Sequence, residues 1–201
     1  MAEQAAAIRE RFDLDYTVQE VSDLLRSIEE GARRTAAIVG ELRTFSRADE
    51  NELQVTDVRA GIESTLTLLR GRYEPNIRVV RHYDEHIPEI EGYPGKLNQV
   101  WMNLLANAVQ AIPDTGEIHI WVESDADQVH VRIHDTGHGM PDEVRRHIFE
   151  PFFTTKEVGS GTGLGLSITY GIVTDHHGSI AVDSQPGRGT TFSISLPLHQ
   201  R

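Results

Sequence analysis

The chain has 201 residues, with 19 Lys and Arg against 31 Asp and Glu, so its formal net charge is −12. An acidic chain without a basic run repels phosphate backbones, which disfavours a nucleic-acid partner. The lack of cysteine excludes disulfides and thiolate metal sites. No apolar stretch reaches a membrane-spanning length, and the first residues lack the apolar core of a signal peptide. We therefore expect a cytoplasmic location, although the parent protein could be membrane-anchored.

Residues 15–46 carry apolar side chains at three- and four-residue steps, with charges on the other face. This pattern predicts a long amphipathic helix, which is either an ordinary surface helix or one arm of a helical bundle. The polar stretch 46–53 follows it. We therefore divide the chain into a helical segment, 1–50, and a second domain, 51–201.

Helices and strands are interspersed beyond residue 51. Asp57 is the expected N-cap of a helix that ends at Leu69, and further helices are expected over 95–112, after Pro141 and over 164–176. Strands are expected over 76–83, 87–90, 117–123, 128–135, 179–184 and 190–196. Because several neighbouring strands form hairpins, the pattern predicts an α+β fold, a two-layer sandwich with one mixed sheet covered by helices on one face.

Two segments combine polar side chains with a nearby core. In QVWMNLLANAVQAI (99–112), Asn103 and Asn107 lie on one helix face, which indicates a polar patch at the rim of the core. In DTGHGM (135–140), Asp135 ends a strand and can accept a hydrogen bond from an amino group. Gly137 and Gly139 allow a tight turn and a close approach of a ligand. Taken singly, solvent-facing amides and a plain Asp/Gly turn remain open for these segments.

Two further segments precede the last predicted helix. In IFEPFFTTK (148–156), Phe149, Phe152 and Phe153 are expected to anchor a loop or to form a small satellite core, and Lys156 supplies a cation. The glycines of GSGTGLGLS (159–167) leave backbone N–H groups able to face an anion at a helix N-terminus. The spacing is neither GxGxxG nor a P-loop, and a flexible loop is the plain alternative.

Together with GRGTTF (187–192), these segments resemble the N, G1, F, G2 and G3 elements of the GHKL superfamily, which includes gyrase, a heat-shock chaperone, histidine kinases and a mismatch-repair protein. The resemblance covers roughly residues 55–198. FFTTK before GTGLGLS is similar to the bacterial histidine kinases, and 29–47 resembles the second helix of a kinase dimerisation domain. The resemblance implies the Bergerat ATP-binding fold and an ATP-dependent protein histidine kinase of a two-component system. It also implies ATP and Mg²⁺ as cofactors and a response regulator as partner.

Matching positions imply a role for each candidate residue. Asn107 would ligate Mg²⁺, Asn103 would support it, and Lys156 would reach a phosphate, so these three are the implied catalytic residues. Asp135 would accept a hydrogen bond from the adenine amino group, and Gly139 would permit the base to approach. The other implied nucleotide-binding residues are Gly137, Gly161, Thr162, Gly163, Leu164, Gly165, Leu166 and Thr190.

Asn103 also separates the branches of the superfamily. The ATP-hydrolysing and serine-kinase members place a glutamate there as general base, and a neutral amide cannot take a proton at neutral pH. A histidine acceptor needs less help, because its neutral imidazole is already nucleophilic. The residue therefore favours transfer to histidine over hydrolysis. Gln110 and Ala111 depart from kinases that place a lysine and an aromatic residue there.

No histidine occurs before His82, whereas the phosphoacceptor of the family lies on the first dimerisation helix. We therefore expect a histidine-bearing helix from the same parent protein or from another chain, and a homodimer is left open. The alternatives are a nucleotide-dependent binding module without transfer, and a GHKL-type ATPase or serine kinase.

For the remaining histidines, we prefer structural roles over metal binding. His82, Glu85 and His86 form an H-x-x-E-H pattern, but Pro88 disfavours the helix that a zinc site of this kind requires, so a solvated loop is preferred. His176 and His177 end a predicted helix, where imidazoles are expected to complement the terminal dipole.

Overall fold

The computed structural model describes residues 16, 18–29, 31, 32, 35, 52–73, 75–156 and 161–200. It divides into two compact units, Met1–Arg43 with Lys156–Thr162, and Thr44–Thr155 with Gly163–Arg201. The described residues up to residue 35 are helical, as predicted, and the rest of the segment 1–50 lies outside the described residues. Across the described part of the chain, no helix is both long and apolar enough to cross a membrane.

The second unit interleaves helices with strands. Its helices are α1 (Val58–Tyr73), α2 (Pro94–Ala111), α3 (Asp142–Arg145) and α4 (Gly165–Asp175). Its strands are β1 (Gln54–Thr56), β2 (Ile77–Tyr83), β3 (Ile90–Gly92), β4 (Gly116–Ser124), β5 (Gln128–Asp135), β6 (Ser179–Gln185) and β7 (Gly189–Pro197). Five strands form one sheet in the order β2-β4-β5-β7-β6, and β1 pairs with β3 in a small second sheet. Because β2 runs parallel to β4 while the other neighbours are antiparallel, the predicted mixed sheet is confirmed.

One face of the large sheet is the core face. Helix α2 contacts β5 and β7, and α4 contacts β6. The alternate residues that point toward these helices are buried, namely Ile118, Ile120, Val122, Val129, Val131, Ile133, Phe192, Ile194 and Leu196. The residues between them include the exposed Arg132 and Ser193. This period of two explains why alternating patterns located the central strands.

Helix α1 begins as predicted but ends later. The Asp57 carboxylate accepts a hydrogen bond from the backbone N–H of Ala60 at 3.0 Å, which confirms the N-cap. The helix ends at Tyr73 rather than at the predicted Leu69. Leu69 and Tyr73 lie one turn apart on the same face and are both buried, so packing against α2 favours the additional turn.

The strand predicted over 87–90 is wrong in its bounds. The observed β3 begins at Ile90 and pairs with β1, a strand that the sequence did not predict. Pro88 has no N–H group to donate to a ladder, which explains why pairing begins after it.

The H-x-x-E-H residues do not share a helix. His82 lies in β2, and Glu85 and His86 are exposed in the loop that follows. Among the described residues, no three His, Asp or Glu side chains are grouped to hold a metal ion. The expected solvated loop therefore holds for Glu85 and His86, whereas His82 belongs to the strand.

His176 has the expected structural role at the end of α4, and it fills that role as a neutral ring. Its imidazole is fully buried, where Nδ1 donates to the carbonyl oxygen of Ile172 at 2.7 Å and Nε2 accepts from the backbone N–H of Tyr93 at 3.0 Å. A ring that donates once and accepts once is neutral, and burial lowers the pKa of His176. The carbonyl oxygens of Val173 and Thr174 accept from the backbone N–H groups of Gly178 and His177, in a left-handed turn at His177, whose φ is 53°.

We predict that His176 makes the protein sensitive to acid. Its lowered pKa means that the unfolded state binds more protons below about pH 6.5, so stability is full above that pH and falls below it by at most about 1.4 kcal/mol per pH unit. Denaturant unfolding at pH 7 and pH 5.5 measures this slope. His176→Gln can keep both hydrogen bonds without titrating and should reduce the slope relative to the unmodified chain. An unchanged slope in His176→Gln would contradict the assignment.

Candidate functional site

Helix α2 presents Asn103 and Asn107 one turn apart, and both are half-buried. The Asn103 Nδ2 group donates to the carbonyl oxygen of Gly165 at 2.8 Å and to the Thr169 hydroxyl at 3.2 Å. The Thr169 hydroxyl is fully buried and donates to the same carbonyl oxygen at 2.9 Å. Asn103 therefore joins α2 to the first turn of α4, which is a positioning contact.

The same face of α2 reaches the loop after β5. Ala111 lies one turn beyond Asn107, and its carbonyl oxygen accepts a hydrogen bond from the backbone N–H of His138 at 3.0 Å. A side chain on Gly137 would overlap the backbone of Ala111. Asn107 thus lies between a contact to the start of α4 and a contact to the loop that follows Asp135, about 6 Å along the helix from each.

Asp135 is held at the end of β5 with 4% of its surface exposed. Its Oδ1 accepts a hydrogen bond from the backbone N–H of Gly137 at 2.9 Å. Burial raises the pKa of this carboxyl, while the backbone amides of Gly137 and Thr190 act in the opposite direction. Thr190 lies beside Asp135 in the β5–β7 ladder and is also buried. The structure therefore brings together three of the predicted site residues, Asp135, Gly137 and Thr190.

Gly139 is required first by the protein's own backbone. Its φ is 63°, and a Cβ atom there would overlap the carbonyl oxygen of Gln185. Next to it, the Ser184 hydroxyl accepts from the Met140 backbone N–H at 2.9 Å and donates to the Gly189 carbonyl oxygen at 3.1 Å. The loop 135–140 is thus fastened to the turn between β6 and β7. The implied role of Gly139 toward an adenine base stays a prediction.

The phenylalanine segment anchors its loop with two of the three rings. Phe149 and Phe153 pack against the core, whereas Phe152 is 67% exposed. The backbone of Phe152 is left-handed, with a φ of 68°, and its ring does not point into the core as those of Phe149 and Phe153 do. Its backbone N–H donates to the Gly163 carbonyl oxygen at 2.9 Å, and a side chain on Gly163 would overlap its backbone. Phe152 therefore contributes backbone contacts rather than packing.

Helix α4 begins directly after these glycines. Leu164 is its N-cap and forms no side-chain hydrogen bond to the helix, so the first N–H groups receive no cap from that side chain. Gly165 and Leu166 form the first turn. Lys156, Gly161 and Thr162 belong to the first unit, so their roles in the site stay predictions.

Sequence reasoning missed Thr169 and Ser184. Both are buried hydroxyls that hold a neighbouring segment by hydrogen bonds. Thr169 lies one turn after Gly165 on α4, but its partner Asn103 is 66 residues away in the sequence. No local pattern indicates such a contact, because only the packing of α2 on α4 creates it.

We predict that Gly139→Ala destabilises the fold more than Gly187→Ala does. Both glycines have positive φ, so alanine costs about 1–2 kcal/mol at either position. Only Gly139 also faces a backbone carbonyl, whereas nothing lies within 4 Å of a Cβ at Gly187. We expect a further loss of about 1–3 kcal/mol for Gly139→Ala from this overlap. Urea unfolding of both variants checks this, and equal losses would show that the close approach to Gln185 is unimportant.

The family was identified by comparison with known proteins. The family model described as histidine kinase-, DNA gyrase B- and HSP90-like ATPase matches residues 92–200. The chain belongs to this family, and its α+β fold is that of a histidine kinase ATP-binding domain, as the N, G1, F and G2 elements implied.

Relatives and solved structures support this assignment. The sensor kinase CckA of Brucella abortus is 38% identical over 191 residues, which cover 86% of this chain and 20% of that protein. The chain therefore spans about a fifth of the length of this relative. The catalytic domain of histidine kinase ThkA is 31% identical with a TM-score of 0.67, over 74% of this chain and 97% of that one. Full-length ShkA, solved in complex with AMPPNP, is 25% identical with a TM-score of 0.71, over 86% of this chain and 37% of that one.

Proposed function

We propose that this chain binds Mg²⁺–ATP and transfers the γ-phosphoryl group to a histidine on a separate helix. The observation that carries the proposal is the arrangement along α2. One face of this helix joins the start of α4, through Asn103, to the loop after Asp135, through Ala111. The adenine base of ATP needs a hydrogen-bond acceptor, and its phosphates need N–H groups and a cation. We propose that the loop after Asp135 serves the base and that the start of α4 serves the phosphates.

The base end is suited to adenine. The buried Asp135 carboxylate can accept a hydrogen bond from an exocyclic amino group, and a buried acceptor of this kind discriminates strongly against a base that lacks the donor. Thr190 lies beside it. Gly137 and Gly139 let the adjoining loop lie close to Ala111 and Gln185, and we propose that the base meets the backbone of this loop.

The phosphate end is suited to an anion. The first turn of α4 offers backbone N–H groups and the positive end of the helix dipole, and Leu164 supplies no competing side-chain cap. Asn107 offers an amide oxygen, a ligand type that Mg²⁺ accepts, between this turn and the base loop. Bound Mg²⁺ would neutralise charge on the phosphates. Lys156, Gly161, Thr162 and Gly163 are proposed to complete the phosphate contacts.

Asn103 supports transfer rather than hydrolysis. Its amide nitrogen donates to two oxygens at the start of α4, those of Gly165 and Thr169. A glutamate at this position would turn a carboxylate toward the Gly165 carbonyl oxygen, which repels it. At the position where the hydrolysing branch needs a general base, this chain has an amide that positions α4. A histidine acceptor does not require a general base, because its neutral imidazole is already nucleophilic.

The acceptor is proposed to come from another helix, since no histidine precedes His82. In the described part of the N-terminal helix, Val21, Leu24, Leu25 and Ile28 are at least half exposed, so an apolar stripe is available for a second helix or a homodimer. A response regulator is the proposed final partner, because ThkA has also been solved in complex with the response regulator TrrA. We place the reaction in the cytoplasm, where ATP is available.

We predict that labelled phosphate moves from ATP to histidine in trans. The chain is incubated with γ-labelled ATP, Mg²⁺ and a separate histidine-bearing dimerisation hairpin, and the product is tested for acid-labile, base-stable label. Asn107→Ala should abolish labelling because it removes the metal ligand, whereas Asn98→Ala, an exposed asparagine on the same helix, should retain it. Nucleotide binding without label would favour a binding module, and rapid release of free phosphate would favour an ATPase.

A further inference from the structure

A second cleft lies at the edge of the large sheet, apart from the residues assigned to ATP. It has a volume of about 360 Å³ and opens between the second half of α1 and strand β2. Leu66, Tyr73 and Ile77 are buried and form its floor. Its rim carries three arginines, Arg70, Arg78 and Arg81. Because the apolar residues at the base are buried, the surface that the cleft exposes is mostly polar, and its cationic rim favours an anionic ligand.

Strand β2 is an edge strand, and its free side adjoins this cleft. The carbonyl oxygen of Asn76 accepts from the N–H of Gly116, and the N–H of Asp84 donates to the carbonyl oxygen of Val122. The backbone N–H and C=O groups of the even-numbered residues of β2 therefore point toward β4. The backbone groups of the odd-numbered residues, 77, 79 and 81, therefore point away from the sheet. Within the described ranges, no strand pairs with this side of β2. The Val79 carbonyl oxygen accepts from Arg81 Nη1 at 3.4 Å, and the remaining groups match the backbone of an added strand.

The arginines give this edge of the sheet a positive charge, whereas the net charge of the whole chain is negative. The Arg81 guanidinium is fixed by both carboxylate oxygens of Glu63, at 2.7 and 3.1 Å. Arg78 contacts Glu117 at 3.3 Å, but its side chain is 74% exposed, so this pair contributes little. Arg70 and Arg72 are added by the last turn of α1. In a chain with a net charge of −12, this is a local positive surface.

We propose that the cleft binds an acidic segment of a partner protein in extended conformation, which adds as a strand to the free edge of β2. Its backbone would pair with residues 77–81, and its carboxylates would contact Arg70 and Arg78. A nucleic acid fits less well, because its backbone has no alternating N–H and C=O groups and the overall charge repels it. The opposing explanation is that the arginines only protect an edge strand from aggregation.

A fluorescein-labelled peptide of alternating glutamate and valine tests this proposal with the full chain. We expect saturable binding by fluorescence anisotropy, and about tenfold or greater weakening in the double variant Arg70→Glu/Arg78→Glu. The control Arg132→Glu/Arg146→Glu makes the same change of charge at exposed positions elsewhere and should bind the peptide as the unmodified chain does. Circular dichroism and ATP binding should be unchanged in both double variants.

A second peptide tests whether a strand is added. Methylation of alternate backbone amides on the side that faces β2 should abolish binding while leaving every side chain in place. No saturable binding of the unmodified peptide would mean that the arginines only protect the edge. Equal weakening in the two double variants, equal binding of the methylated peptide, or tighter binding of a single-stranded oligonucleotide would each overturn the proposal.

Discussion

A carboxylate buried at the end of a strand is the constraint on which the rest of the site depends. Leaving Asp135 inside the fold without partners would cost several kcal/mol, so the chain must supply N–H groups close to it. The Gly137 N–H does so only because the loop turns sharply, and that turn passes so close to Gln185 and Gly189 that no side chain fits at position 139. Ser184 fastens the same loop to the β6–β7 turn. Much of what resembles a nucleotide motif is therefore first a solution to burying a carboxylate.

Helix α2 connects this loop with the rest of the site. Asn103 and Ala111 are eight residues apart and lie on the same face, and each contacts a different glycine-containing loop. Because six residues of the helix are buried in the core, α2 holds the two contacts at a fixed spacing. Asn107 lies between these two contacts, so both of them fix its position. This explains why the family signature consists of separate short elements whose order and spacing matter more than any one of them.

The sequence predicted the central architecture well because its signals are local. The alternation of β4, β5 and β7 and the Asp57 N-cap depend on neighbouring residues, and the structure has them as expected. The short strands β1 and β3 were missed or misplaced, since three-residue strands carry little pattern and their pairing is non-local. The neutrality of His176 depends on Tyr93, 83 residues away, and the Asn103–Thr169 contact likewise joins distant segments. Such contacts follow from packing and cannot be read from spacing.

The most direct test of the account is a calorimetric titration that compares ATP with inosine triphosphate, which carries an oxygen in place of the adenine amino group. With Mg²⁺ present, we predict that the unmodified chain binds ATP at least about tenfold more tightly, because only ATP donates to Asp135. Asp135→Asn should reduce or reverse this preference, since an amide can donate to the oxygen of inosine. The fold should be retained, because burial already opposes the charge at this position. Equal affinity of the unmodified chain for the two nucleotides, or an unchanged preference in Asp135→Asn, would contradict the account.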